Sequence, residues 1–179
     1  MKLLQALLVL VIIAGTGGVA FGFEARVVSI PDGDTVEVYK QGEQFKTSID
    51  LYGIDCPEKQ QYFGYAAKEA TAALVGLKMV WVEVIREDRS GRLSAVITVE
   101  GTNVNETLVA KGWAWVIPED CNQPFCDDWR RLQEEARKNR IGLWTALKPQ
   151  APWEWRKRKT KELFYISPDN KIPVWRHSP

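Results

Sequence analysis

The sequence predicts a small α+β protein, a five-stranded β-barrel with about three helices. Three observations point to it: short runs of period-two alternation in the first half, a helical spacing of apolar residues after the third run, and turn residues that close each run. The 179 residues suit one domain of ordinary size plus extensions. Hydrophobic residues at 45% and charged residues at 26% supply a core and exclude wholesale disorder. No repeat of solenoid period occurs.

The first strand is expected over 26–30, which is rich in β-branched residues and ends at the turn Pro31-Asp32-Gly33-Asp34. The second covers 35–39 and turns at Gln41-Gly42-Glu43. The third covers 45–52, with Phe45, Thr47, Ile49 and Leu51 on one face. Short turns join these three as an antiparallel meander. The spacing of Phe63, Ala66, Ala67, Ala70 and Leu74 then predicts a helix over 62–75. Strands over 79–86 and 92–99 flank the turn Asp88-Arg89-Ser90-Gly91. A short helix fits 105–111 and stops at Gly112. The last helix is expected over 128–140, with Asp127 as N-cap, Trp129, Leu132 and Ala136 as its apolar stripe, and Gly142 as its stop. Five strands with a helix after the third match the OB-fold, a small Greek-key barrel.

Residues 1–22 read as an export signal: Lys2, an apolar run from Leu3 to Ala14 broken only by Gln5, then small residues up to Gly22. An uncleaved anchor is the alternative, since no charge falls between Leu3 and Phe23. The glycines and the lack of a basic stop-transfer cluster speak against an anchor. Either way the remainder is expected outside the cytosol, secreted or periplasmic, as a barrel domain over 23–148 and a tail over 149–179. The net charge of +1 conceals an uneven distribution, because 129–161 carries eleven basic and three acidic residues. Two readings of the tail stay open. Trp153, Trp155 and the basic run 156–161 could contact a polyanion. Alternatively, the tryptophans pack on the barrel beneath a solvated basic run.

Of the three cysteines, Cys121 and Cys126 lie in one polar loop, where an oxidising compartment favours a local disulfide. A zinc site there lacks a nearby histidine, the only one being His177. Cys56 reads as a partly buried thiol with no histidine to activate it.

Two acidic turns carry the chemistry: Asp32-Gly33-Asp34-Thr35 and Asp55-Cys56-Pro57-Glu58. A meander can bring both to one end of the barrel. Carboxylates gathered there repel one another, and a bound cation relieves the repulsion. Oxygen donors without histidine select a hard cation, Ca²⁺ or Mg²⁺, over zinc.

Asp-Gly-Asp-Thr (32–35), Gly-Ile-Asp-Cys-Pro-Glu (53–58), Asp-Arg-Ser-Gly-Arg (88–92), Asn-Glu-x-Leu-Val-x-x-Gly (105–112), Glu-Ala-Arg (135–137) and Gly-Leu-Trp (142–144) occur in the order seen in thermonucleases. Over about 24–146 the sequence resembles that staphylococcal nuclease family, and its Pro-Trp-Glu-Trp-Arg-Lys segment (152–157) resembles an extension of bacterial members. The resemblance implies a monomeric phosphodiesterase acting on DNA or RNA with Ca²⁺, with Mg²⁺ or Mn²⁺ as alternatives. Asp34 and Asp55 would be the metal carboxylates, and Cys56 would lend its backbone carbonyl. Glu58 would be the general base, Arg92 would grip the phosphate, and Arg89 would contact substrate.

One departure is prominent. The family carries a phosphate-binding arginine five residues before the second metal aspartate, where this chain has Asp50. Lys46 shares that strand face but lies about 13 Å away, too far to substitute. Ile117 and Pro118 also stand where the family often has an aromatic residue. Three readings follow: an active site in which Asp50 joins the metal cluster, a weak nuclease, or an impaired module that binds nucleic acid or protein. The presence of Asp34, Asp55, Glu58 and Arg92 favours a nuclease.

Overall fold

A computed structural model describes residues 22–163. The expected export signal therefore lies outside the described residues except for Gly22, as does His177. Among the described residues, four α-helices accompany the barrel. The chain runs β1 (Gly22–Ser29), β2 (Thr35–Lys40), β3 (Thr47–Leu51), β4 (Ile54–Asp55), α1 (Gly64–Val75), β5 (Met79–Glu87), β6 (Leu93–Val99), β7 (Thr102–Asn103), α2 (Val104–Ala110), β8 (Trp115–Val116), α3 (Cys126–Lys138), a 3₁₀ turn (Gly142–Thr145) and α4 (Pro152–Leu163).

The first three strands form the expected antiparallel meander, and β1 also pairs with β5. A parallel pairing of β3 with β6, Asp50 opposite Ser94, closes the five-stranded mixed barrel. The inward residues of β2 and β3 (Val36, Val38, Ile49 and Leu51) are buried, as their alternation requires. Phe45 departs from the expectation: it precedes β3 in the turn and is 83% exposed.

α1 starts at Gly64, and its buried face is Ala67, Thr71 and Val75, offset from the stripe the apolar spacing suggests. Thr71 explains the offset, because its hydroxyl donates to the Gly33 carbonyl at 2.5 Å and so must face the barrel. Asn103 caps α2 by accepting from the Glu106 N–H at 3.0 Å.

α3 starts at Cys126, so Asp127 is not its N-cap but sits in the first turn, where negative charge suits the helix dipole. Phe125 takes the cap position, and Cys126, disulfide-bonded to Cys121, is the first helical residue. α3 ends at Lys138, and Gly142 opens the 3₁₀ turn instead of stopping the helix.

α4 was not expected as a helix. Its start has a sequence logic: Pro152 is the first helical residue and Glu154 lies in the first turn. Trp153 packs edge-on against Trp115, with ring centroids 5.8 Å apart. Gln61 donates from its side-chain amide to the Gln150 carbonyl at 2.6 Å, and Lys159 donates to the Gln60 side chain at 2.9 Å. Helix and barrel thus meet along the segment that follows Glu58.

Candidate active site

The two acidic turns touch. The Cys56 N–H donates to Asp34 Oδ2 at 2.5 Å, and the Leu51 N–H donates to the Asp34 carbonyl at 2.7 Å. This approach needs glycine at 33, since a Cβ there would lie 2.6 Å from the Cys56 Cβ. Thr71 pins the same turn to α1. The second turn is fixed by the β4–β8 pairing, which sets Asp55 opposite Trp115 and leaves Asp55 only 6% exposed.

A cleft of about 400 Å³ opens at this end of the barrel. Its lining carries seven carboxylates (Asp32, Asp34, Asp50, Asp55, Glu58, Asp88 and Asp120) against Arg86, Arg92 and Arg156. Excess negative charge of this size opposes entry of an anion unless a cation offsets it.

The carboxylates register the strain. Burial pushes the Asp34 carboxyl well above the ordinary range, the Cys56 N–H opposes the rise, and Asp32 and Asp55 add to it. Burial also raises Asp55, against the hydrogen bonds and charge of Arg156. Burial foremost, then the same carboxylates, pushes the Cys56 thiol well up, so it stays protonated and is no nucleophile. Asp32 Oδ1 is buried without a hydrogen-bond partner. An orphaned carboxylate oxygen beside Asp34 and Asp55 fits a hard divalent cation. Among the described residues no group of three or more His, Cys, Asp or Glu side chains stands in ligating geometry. A cation would therefore take two carboxylates together with backbone or water oxygens.

The arginines are all engaged. Arg92 Nε lies 3.0 Å from Asp50 Oδ2, and Thr35 donates to Asp50 Oδ1 at 3.3 Å. Burial lifts the Asp50 carboxyl while Arg92 and Thr35 oppose it. Arg86 lies 3.3 Å from Asp120. Arg156, from α4, donates from Nη1 to Asp55 Oδ1 at 3.2 Å and from Nη2 to Asp55 Oδ2 at 2.7 Å. Its Nη1 also donates to Glu58 Oε1 at 2.6 Å. These hydrogen bonds, Asp55 foremost, raise the guanidinium pKa further.

Of the residues expected at the site, Asp34, Asp50, Asp55, Glu58 and Arg92 line this one cleft, and the Cys56 backbone bridges its two acidic turns. Ile117 lines it too. Arg89 does not: it is exposed on the 88–91 turn, where Asp88 accepts from the Ser90 hydroxyl at 2.7 Å and the Arg92 N–H at 3.0 Å. Lys46 is spent on Glu37 at 3.2 Å. Cys121 and Cys126 form the disulfide. Sequence reasoning missed Arg156, reading 156–161 as one undivided basic run. The helix start at Pro152, which sets the face Arg156 occupies, is the signal that could have separated it.

The staphylococcal nuclease homologue family matches residues 48–146. An "Uncharacterized endonuclease" of Escherichia coli O157:H7 is 40% identical over 135 residues, covering 75% of this chain and 85% of the relative. An "Uncharacterized endonuclease" of Haemophilus influenzae is 34% identical over 140 residues, 78% of this chain and 76% of that one. "Micrococcal nuclease" of Shigella flexneri is 33% identical over 144 residues, 75% and 81% respectively. With the barrel, the paired acidic turns and these matches in agreement, the chain belongs to the staphylococcal nuclease homologue family.

Proposed function

We propose that the chain is a divalent-cation-dependent phosphodiesterase that hydrolyses DNA or RNA outside the cytosol, with Ca²⁺ as the preferred ion and Mg²⁺ or Mn²⁺ as substitutes. The observation that carries this reading is the single acidic cleft in which Asp34, Asp55, Glu58 and Arg92 meet. The endonuclease and nuclease names of its relatives support it. The apolar N-terminal segment and the disulfide support an extracytoplasmic location. The protein is read as a monomer.

Asp34 and Asp55 would hold the cation, which when bound neutralises phosphate oxygens and orients the diester. Glu58, at the lip of the same cleft, would accept the proton of the attacking water. Arg92 would stabilise charge developing on phosphate oxygens. Only its Nε lies against Asp50, so its Nη1 and Nη2 can meet phosphate directly, and a side-on grip through Nε would exchange Asp50 for phosphate. Both partners of that pair are more than one-third exposed, at 54% and 38%, so the exchange costs at most about 1 kcal/mol.

The Asp50–Arg92 pair favours a second reading, a cleft that binds nucleic acid without turnover. One assay separates the two. Protein comprising 23–179 is incubated with single-stranded DNA, duplex DNA and RNA in Ca²⁺, Mg²⁺ or Mn²⁺. Release of acid-soluble nucleotides that stops with chelator and with Glu58→Gln is expected. Absence of digestion with every ion overturns the phosphodiesterase reading, and oligonucleotide binding retained under those conditions supports the second.

A further inference from the structure

We propose that Arg156 binds the scissile phosphate from α4, taking the role that the family assigns to an arginine on β3. The proposal rests on the phosphodiesterase reading. On β3 the corresponding position is Asp50, which repels phosphate and also holds Arg92 at 3.0 Å. A phosphate-binding guanidinium must then come from elsewhere, and α4 places one against Asp55 and Glu58, the two carboxylates the chemistry would use.

The bonding pattern of Arg156 suits the task. A guanidinium carries five N–H donors in a rigid fork. Asp55 takes the Nη1/Nη2 edge, and Glu58 takes the second Nη1 hydrogen. The Nε–H and the second Nη2 hydrogen have no partner among the described residues. Together they form the side-on edge of the fork, which matches two phosphate oxygens. Arg156 can therefore keep both carboxylates and receive phosphate beside Glu58. Its side chain is 48% exposed, so a phosphate can reach it.

The helix that carries Arg156 is seated firmly enough to position it. Trp153 packs on Trp115, and Gln61 and Gln60 bond Gln150 and Lys159 on either side of the docked segment. The opposite role is conceivable from the same contacts: a guanidinium that covers Asp55 and keeps a cation out. The charge reversal at Asp50 favours the first role, since it leaves phosphate without a guanidinium on β3, and the two roles differ in consequence: losing a plug would speed cleavage and tighten Ca²⁺ uptake, whereas losing a phosphate contact would weaken binding and cleavage together.

The test compares the native chain with Arg156→Gln, Arg156→Lys and, as a control on the same helix, Glu154→Gln. Binding of an end-labelled, cleavage-resistant phosphorothioate oligodeoxynucleotide is measured in Ca²⁺ across a salt series, and cleavage and Ca²⁺ uptake are measured separately. Arg156→Gln is expected to weaken oligonucleotide binding about ten-fold and to lower the magnitude of the salt slope by about 1. It is also expected to lower kcat/KM by about 10²-fold or more. Arg156→Lys falls between, because an ammonium cannot bind two oxygens side-on. Unchanged binding and cleavage overturn the proposal, as does faster cleavage with tighter Ca²⁺ uptake. If Arg156→Gln does not fold, Arg156→Lys decides by the same readings. Should the native chain cleave nothing, the phosphodiesterase reading fails, while the binding series still decides whether Arg156 touches phosphate.

Discussion

Arg92 and Arg156 reach the same cleft under opposite conditions. Arg92 immediately precedes β6, and its partner Asp50 sits on the parallel neighbour β3. Both side chains of that pair are substantially solvated. Arg156 comes from a helix 101 residues away in sequence, and its partner Asp55 has a side chain only 9% exposed. Releasing a solvated partner costs little, whereas stripping the partner from a buried carboxylate costs several kcal/mol. On the proposed mechanism Arg92 would therefore be the guanidinium free to change partner when phosphate arrives. Arg156 would stay with its carboxylates and work through its remaining edge.

The largest test of this contrast is Glu58→Gln, which removes the base and weakens the Arg156 anchorage together. It should lower kcat by about 10³-fold and leave the thermal midpoint nearly unchanged. Retention of more than a tenth of the activity would remove Glu58 from the mechanism.

Deleting α4 by ending the chain at Gln150 should reduce kcat/KM as much as Arg156→Gln does, about 10²-fold. If the truncated protein matches the native one in a cleavage assay, the helix has no part in the site.

Asp34→Asn sharpens the comparison from the carboxylate side. The folded pKa of Asp34 is raised, so its ionised form destabilises the cation-free fold. Stability contributed through this group is present below the unfolded carboxylate pKa of about 3.9 and is lost as pH rises through the folded value. Asn can still accept the Cys56 N–H. The substitution should raise cation-free stability at pH 7, and the gain should vanish as pH falls below the unfolded carboxylate pKa of about 3.9. Denaturant melts in chelator at both pH values measure it. A loss of stability at pH 7 would contradict the burial argument.

The smallest effect is expected from Asp50→Asn, which keeps the Thr35 contact and frees Arg92. Loss of one solvated ion pair should raise kcat/KM by up to about five-fold. A rise of a hundred-fold would mean that Asp50 cripples the native site and that Arg156 does not compensate.

Much of the barrel was legible because its signals are local. Val36, Val38, Ile49 and Leu51 alternate with period two, and the turn at 31–34 declares itself by composition. The pairing of the two acidic turns was readable from the meander, which returns both to one end. The inward face of α1 was not, because Thr71 owes its burial to a carbonyl on a distant turn. Arg89 and Arg92 are equivalent as letters in one turn, and only the chain path sends one into the cleft and the other outward.

What the sequence determined by itself was the set of short strands, the paired carboxylate turns and the charge reversal at Asp50, since each depends on neighbours a few residues apart. Tertiary structure alone decided the parallel closure of β3 on β6 and the arrival of Arg156 at Asp55 and Glu58. Those contacts join segments far apart along the chain. Their geometry comes from helix docking and barrel closure, and no local periodicity encodes it.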